Sequence, residues 1–202
     1  MDSVPAGVGG RGLSGVRLVI SDDHRGLVGA IGAVLPGASW QRCRTHFMRN
    51  LLSRVPKSTQ GVVATLVRSI FAQPSAEEVQ AQLVRVTEQL ERLFPVAGEL
   101  LASAGPDITA FASLPVEHWR QIWSNNPQER LNREIRRRTD VVGIFPNRPA
   151  IVRLVGAVLS EQHDEWAVAR RYMSQESLAK ARMTVIEGDV GEEVMPALVA
   201  AG

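Results

Sequence analysis

The chain has 202 residues, 45% of them hydrophobic and 22% charged, with a formal net charge of +2. That is enough apolar material for a proper core, and no run approaches the roughly 20 apolar residues that span a bilayer. The single cysteine, Cys43, excludes an internal disulfide; with no signal-peptide pattern in residues 1–10, this fits a reducing cytoplasm.

The charges sit unevenly. Five basic residues and no acid lie between Gln41 and Lys57, and seven arginines face three acids between Arg120 and Arg148. The chain after Arg182 holds four acids and no Lys or Arg. Residues 1–10 read as a flexible leader and 183–202 as a loose acidic tail.

Val16-Arg17-Leu18-Val19-Ile20 is a short β-branched run ending on Ser21-Asp22-Asp23-His24. A buried strand that delivers carboxylates at its C-terminal end is a favoured place for a site in an α/β sheet. The aspartate could equally cap the helix expected from His24 to Leu35. Gly26, Gly29 and Gly32 weaken that helix, which predicts close packing against the sheet. Pro36-Gly37 ends it, and Ala38 to Cys43 reads as a second strand. Cys43-x-x-His46 resembles half a metal site, yet structural zinc needs four ligands and no second pair exists at usable spacing. These two residues are therefore expected to pack or hydrogen-bond at the strand-to-helix corner.

Residues 58–118 change character. Val62, Leu66 and Ile70, with Val63, Val67 and Phe71, form an i, i+4 stripe. Pro74-Ser75 stops that helix and opens the next, with Glu78 completing a capping box. Val79, Leu83, Val86, Leu90 and Leu93 continue at helical spacing to Pro95, so this stretch predicts an all-helical insertion between residues 11–57 and 119–182.

Trp119 and Trp123 lie four apart, on one helical face; such a pair either packs in a core or stacks on bases. Asn126-Pro127 predicts an N-cap with proline at the first helical position. Glu129 follows at the capping-box position, and Arg133, Arg136, Arg137 and Arg138 crowd the same helix. An acid beside several guanidinium groups also suits chemistry on phosphate, the acid for a metal ion and the arginines for the backbone. A strongly periodic helix through Ile151, Leu154, Val155, Val158 and Leu159 comes next.

Several long motifs in this order resemble the Mutator-type transposases of bacterial insertion sequences. They are Arg11-Gly12-Leu13-Ser14-Gly15-Val16 through Ser21-Asp22-Asp23-His24-Arg25-Gly26-Leu27, Cys43-Arg44-Thr45-His46, His118-Trp119-Arg120-Gln121-Ile122-Trp123-Ser124, Asn126 through Pro146-Asn147, and Asp164-Glu165-Trp166 through Tyr172-Met173. The resemblance runs from about Arg11 to Ala181 and implies an RNase H-like α/β catalytic domain, interrupted by the helical insertion and helical in most of its length. It further implies an Asp-Asp-Glu triad on divalent metal, Mg²⁺ with Mn²⁺ as a substitute, acting in DNA cleavage and strand transfer.

The second aspartate carries over onto Asp22 and the glutamate onto Glu129; Asp23 is the weaker candidate. Arg133, Arg136, Arg137 and Arg138, with Trp119 and Trp123, would then hold DNA, and the chain would pair with itself or with a full-length transposase. In that family the first aspartate lies on an earlier strand, and residues 1–10 supply only Asp2. The expectation is thus a truncated, catalytically incomplete copy. The alternative is a non-catalytic DNA-binding or regulatory fragment that inhibits a full-length transposase.

Overall fold

A computed structural model describes residues 13–168, 173, 174, 176 and 178–181. The expected leader and acidic tail lie outside those residues, as do Asp2 and the end of the last motif, residues 169–172. The described chain is predominantly helical, with one small parallel sheet.

The sheet is a β–α–β unit: β1 (Leu18–Ser21), α1 (Arg25–Val34) and β2 (Ser39–Arg42). Leu18 lies opposite Ser39 and Ser21 opposite Arg42 in parallel register. β1 begins two residues later than its β-branched run because β2 supplies only four residues to pair with. The ladder reaches Arg17 only through its carbonyl, which accepts from the Ser39 amide at 2.9 Å.

α1 departs from expectation at both its cap and its glycines. His24, not an aspartate, caps it: the imidazole Nδ1 accepts from the Leu27 amide at 3.3 Å. Gly29 and Gly32 are exposed and an added Cβ would meet nothing within 4 Å, so they do not pack on the sheet. α1 buries Ile31 alone, and the glycines fall on its open side.

β2 turns directly into α2 (Arg44–Leu52), and from there the chain is helical. α3 (Gln60–Ile70) buries Val63, Ala64, Val67 and Ile70, whereas Val62 of the expected stripe is 65% exposed. α4 (Ala76–Leu93) opens as the capping box predicts, Ser75 Oγ accepting from the Glu78 amide at 3.3 Å. α5 (Pro95–Ile108) folds back on α4 so closely that a Cβ on Gly98 would sit 2.5 Å from the Glu91 backbone nitrogen. Two 3₁₀ turns, Ala110–Ser113 and Val116–His118, and the short helix α6 (Trp119–Ile122) complete this half.

One cluster of buried side chains joins these pieces, running from Phe47 and Leu51 on α2 through α3, α4 and α5 to Phe111, Trp119 and Ile122. Each such side chain taken from water contributes about 1.5–3 kcal/mol. β2 enters this core with a fully buried amide. Gln41 Nε2 donates to the Ile108 and Arg42 carbonyls, both at 2.9 Å, and its Oε1 accepts from the Phe111 amide at 2.8 Å. The amide therefore satisfies backbone groups that the end of α5 leaves without helical partners.

The last two elements are α7 (Asn126–Val142) and α8 (Arg148–Val168), which pack on each other as a hairpin. The turn between them uses Gly143 at φ +70°, a left-handed conformation that suits glycine. Leu131 on α7 and Val158 on α8 are the buried apolar residues here, while Val141 and Ile144 at the turn are 81% and 90% exposed. Among the described residues no helix is long and apolar enough to cross a membrane.

Candidate functional site

Four consecutive residues at the β2–α2 corner grip the start of α7. The Cys43 thiol donates to Asn125 Oδ1 at 2.9 Å, and the Arg44 amide donates to the Trp123 carbonyl at 2.9 Å. Thr45 Oγ1 donates to Asn126 Oδ1 at 3.1 Å, and His46 Nε2 lies 3.1 Å from Glu129 Oε1. The Arg44 guanidinium also stacks over Trp123, 4.1 Å from the ring centroid, and faces Phe71 at 5.2 Å. Burial there, with Arg68 as a second cation nearby, draws the Arg44 pKa below its ordinary value.

These contacts change the reading of Asn126. α7 already includes Asn126, so the capping position falls to Asn125, whose side chain makes no cap bond. Both asparagine side-chain oxygens accept from the Cys43 thiol and the Thr45 hydroxyl, so they tie the helix start to the corner rather than cap its amides. Glu129 likewise does not serve a capping box. Among the described residues its carboxylate pairs with His46 alone, while its amide donates to the ordinary helical partner, the Asn125 carbonyl, at 3.0 Å.

The same corner reaches the end of β1, because the Cys43 amide donates to the Ser21 carbonyl at 2.7 Å. Beyond Ser21 the two aspartates separate in role. Asp23 is paired with the buried Arg42 at 3.1 Å, whose guanidinium also lies 5.2 Å from the Phe47 ring centroid. Asp22 is exposed, and its carboxylate has no partner among the described residues. It opens onto a groove of about 640 Å³ shared with Ile20, Gln121, Asn125, Pro127 and Gln128. Glu129 does not line that groove: its carboxylate is turned toward His46. The two acids carried over from the family resemblance thus face different surroundings, Asp22 the groove and Glu129 the His46 imidazole.

The tryptophans are not stacking platforms. Trp119 is 4% exposed, its indole N–H donates to the Leu114 carbonyl at 2.7 Å, and its ring meets Phe111 edge-on at 5.1 Å. Trp123 is packed against Phe71 and Phe111 and covered by Arg44. Aromatic surface already buried in a core has no face left for a base.

The arginine face divides as well. Arg137 and Arg138 both bind Glu134, at 2.7 and 2.9 Å, and Arg138 reaches Glu161 on α8 at 2.6 Å. Arg137 first and Arg138 second hold the Glu134 carboxyl down at about 2. Arg133 and Arg136 are exposed and form no ion pair among the described residues. In the earlier basic stretch, Arg42 and Arg44 are similarly turned inward, leaving Arg49, Arg54 and Lys57 with no ion pair among the described residues. The glutamate that neutralises Arg137 and Arg138 on their own helix sits at i−3 and i−4 in the sequence, a signal that counting arginines alone passes over.

Residues 6–169 match the family model described as Transposase, Mutator family. The transposase for insertion sequence element IS1081 of Mycobacterium tuberculosis (strain ATCC 25618 / H37Rv) is 60% identical over 172 residues, covering 85% of this chain and 41% of the relative. That for ISRM5 of Rhizobium meliloti (strain 1021) is 41% identical over 169 residues, covering 84% and 42%. That for IS256 in transposon Tn4001 of Staphylococcus aureus is 38% identical over 164 residues, covering 80% and 42%. The chain spans about two fifths of the length of these curated relatives.

Proposed function

This chain belongs to the Mutator family of transposases, and on that premise we propose that it takes part in DDE-type cleavage and strand transfer of DNA, on an RNase H-like frame, with Asp22 and Glu129 as two of the metal-binding acids. The observation that carries this reading is the place of Cys43. Its amide holds the end of β1 at Ser21, and its side chain holds the start of α7 at Asn125, 82 residues further on. One residue thereby ties together the two segments that bear the acids.

The donor chemistry suits Mg²⁺, or Mn²⁺ in its place, since such ions take one or two carboxylates together with water and phosphate oxygens. Among the described residues no set of three His, Cys, Asp or Glu side chains is placed to hold a metal, so the fit rests on this pair. When bound, divalent ions would activate the attacking oxygen and stabilise the leaving oxygen at phosphorus. Asp22, exposed and without a partner among the described residues, is the acid already presented to solvent. Glu129 keeps its second oxygen, Oε2, without a hydrogen bond among the described residues. Arg133 and Arg136 hold backbone phosphates, an interaction that positions DNA without reading its sequence.

Two carboxylates fall short of a triad, so the chain alone is expected neither to cut nor to join DNA, the further acid coming from another part of a transposase or another copy. An oligonucleotide cleavage and joining assay in Mg²⁺ or Mn²⁺ tests this. Strand transfer by the purified chain, abolished by Glu129→Gln, would overturn the two-acid account and leave the metal role standing. DNA binding measured across a salt series tests the arginines. Replacing Arg133 and Arg136 with alanine should lower the log–log salt slope by about one for each phosphate no longer held. Replacing Arg137 and Arg138 should change the slope less, because Glu134 and Glu161 already neutralise them; equal effects would contradict that division.

A further inference from the structure

We propose that His46 is the positioning residue for Glu129, fixing the carboxylate so that Oε1 is held by the imidazole and Oε2 remains for a divalent ion. The proposal rests on the reading of Glu129 as a metal ligand given above. Its own support is geometric. His46 Nε2 lies 3.1 Å from Glu129 Oε1, and each is the other's partner among the described residues. The second ring nitrogen, Nδ1, is buried and has no hydrogen-bond partner among the described residues.

The contact with Glu129 is the ring's one ion pair among the described residues. A histidine placed as a cross-link uses both nitrogens, and a histidine placed as filler would be better replaced by an aliphatic side chain. His46 instead directs Nε2 at a single carboxylate. The platform beneath it is firm. Phe47 and Leu51, the buried residues of α2, are fully covered, and the helix begins at the Cys43 and Arg44 backbone bonds to Ser21 and Trp123. Thr45 to Asn126 fixes the neighbouring rung, so His46 reaches a helix whose start cannot slide. A ligand carboxylate oriented by a neighbouring hydrogen bond is a recurring arrangement around metal sites, and losing such a partner weakens metal binding.

The test compares His46→Leu, which keeps bulk and removes the donor, with His46→Gln, whose amide N–H restores a donor at similar reach. The carboxyl carbon signal of Glu129, read by NMR on glutamate-labelled protein near neutral pH, should move in the leucine variant and return toward its original position in the glutamine variant. Mn²⁺ affinity of the full chain, measured with MnCl₂ by calorimetry, should fall about 10- to 100-fold for leucine and stay within about threefold for glutamine. The melting temperature of the leucine variant should change little, since leucine keeps the bulk and a part-exposed ion pair contributes little to stability.

An unmoved Glu129 signal in His46→Leu would overturn the proposal, as would equal Mn²⁺ affinities for the two variants when Glu129→Gln still weakens binding. A weaker Mn²⁺ affinity in the leucine variant matched by a drop in melting temperature, and not rescued by glutamine, would also overturn it by assigning His46 a structural role. If Glu129→Gln leaves Mn²⁺ binding unchanged, the metal reading fails instead, and the Glu129 signal still decides whether His46 positions that side chain.

Discussion

The two ends of α7 are held by different physics. Its start is docked: Asn125, Asn126 and Glu129 are each bonded to a separate residue of the β2–α2 corner, and Leu131 is buried just beyond them. Its far end is tied by charge on the surface, through Glu134 to Arg137 and Arg138 and from Arg138 to Glu161. Exposed ion pairs contribute little and are screened by salt, whereas hydrogen bonds in a half-buried corner fix geometry. A helix anchored at one end and loosely braced at the other can hold a carboxylate still while offering its arginines to a partner of variable shape.

The strongest way to break that contrast is to loosen the core on which the docked end stands. Gln41→Leu removes the amide that satisfies the Ile108 and Arg42 carbonyls and the Phe111 amide. Leaving such groups buried and unpaired should cost about 2–4 kcal/mol in urea unfolding. A cost below about 1 kcal/mol would mean that the surrounding backbone finds other partners.

Gly98→Ala attacks the same core from another side. The new Cβ would meet the backbone of Glu91, which cannot swing aside as a flexible side chain would. The expected destabilisation is about 1–3 kcal/mol, from forcing α4 and α5 apart. A neutral or stabilising outcome would show that the helix pair is not in fact locked at that crossing.

Acid should act on the braced end. The Glu134 carboxyl is held down at about 2 by Arg137 and Arg138, below its ordinary 4.5. A depressed acid contributes stability that is present above its unfolded pKa and lost as pH falls through the folded one. The α7–α8 hairpin should therefore lose its ion-pair support between about pH 4.5 and pH 2, the two values that bound the shift. Amide exchange in residues 133–142 should quicken over that range, and Glu134→Gln should remove the dependence with only a small change in overall stability. An unchanged pH profile in Glu134→Gln would contradict Glu134 as the source of the acid sensitivity.

Much of the local structure is legible from residue types alone. The Ser75–Glu78 box and the apolar run at β1 both act through neighbours in the chain. The Cys43-x-x-His46 spacing also marks the corner, because packing and hydrogen bonding are what remain once a four-ligand metal is excluded. What faces what across long separations is not legible. Asn125 rather than Asn126 precedes the helix, and both side chains bond to Cys43 and Thr45 across the corner instead of capping it. Gly29 and Gly32 read as packing glycines, yet α1 buries only Ile31 and turns them outward. Trp119 could stack or pack by spacing alone; burial against Phe111 decides it. Gln41 carries no motif, and its importance comes from where α5 ends.

The proposal most in need of a test is that Asp22 and Glu129, on the two segments that Cys43 ties together, bind one divalent ion. The most direct measurement is a double-mutant cycle on Mn²⁺ affinity with Asp22→Asn, Glu129→Gln and both together. Two ligands of one ion should be coupled, so that each single substitution weakens binding strongly and the pair weakens it clearly less than the sum of the two. Additive effects, or no effect at either position, would contradict a shared ion and leave Glu129 as the partner of His46 alone.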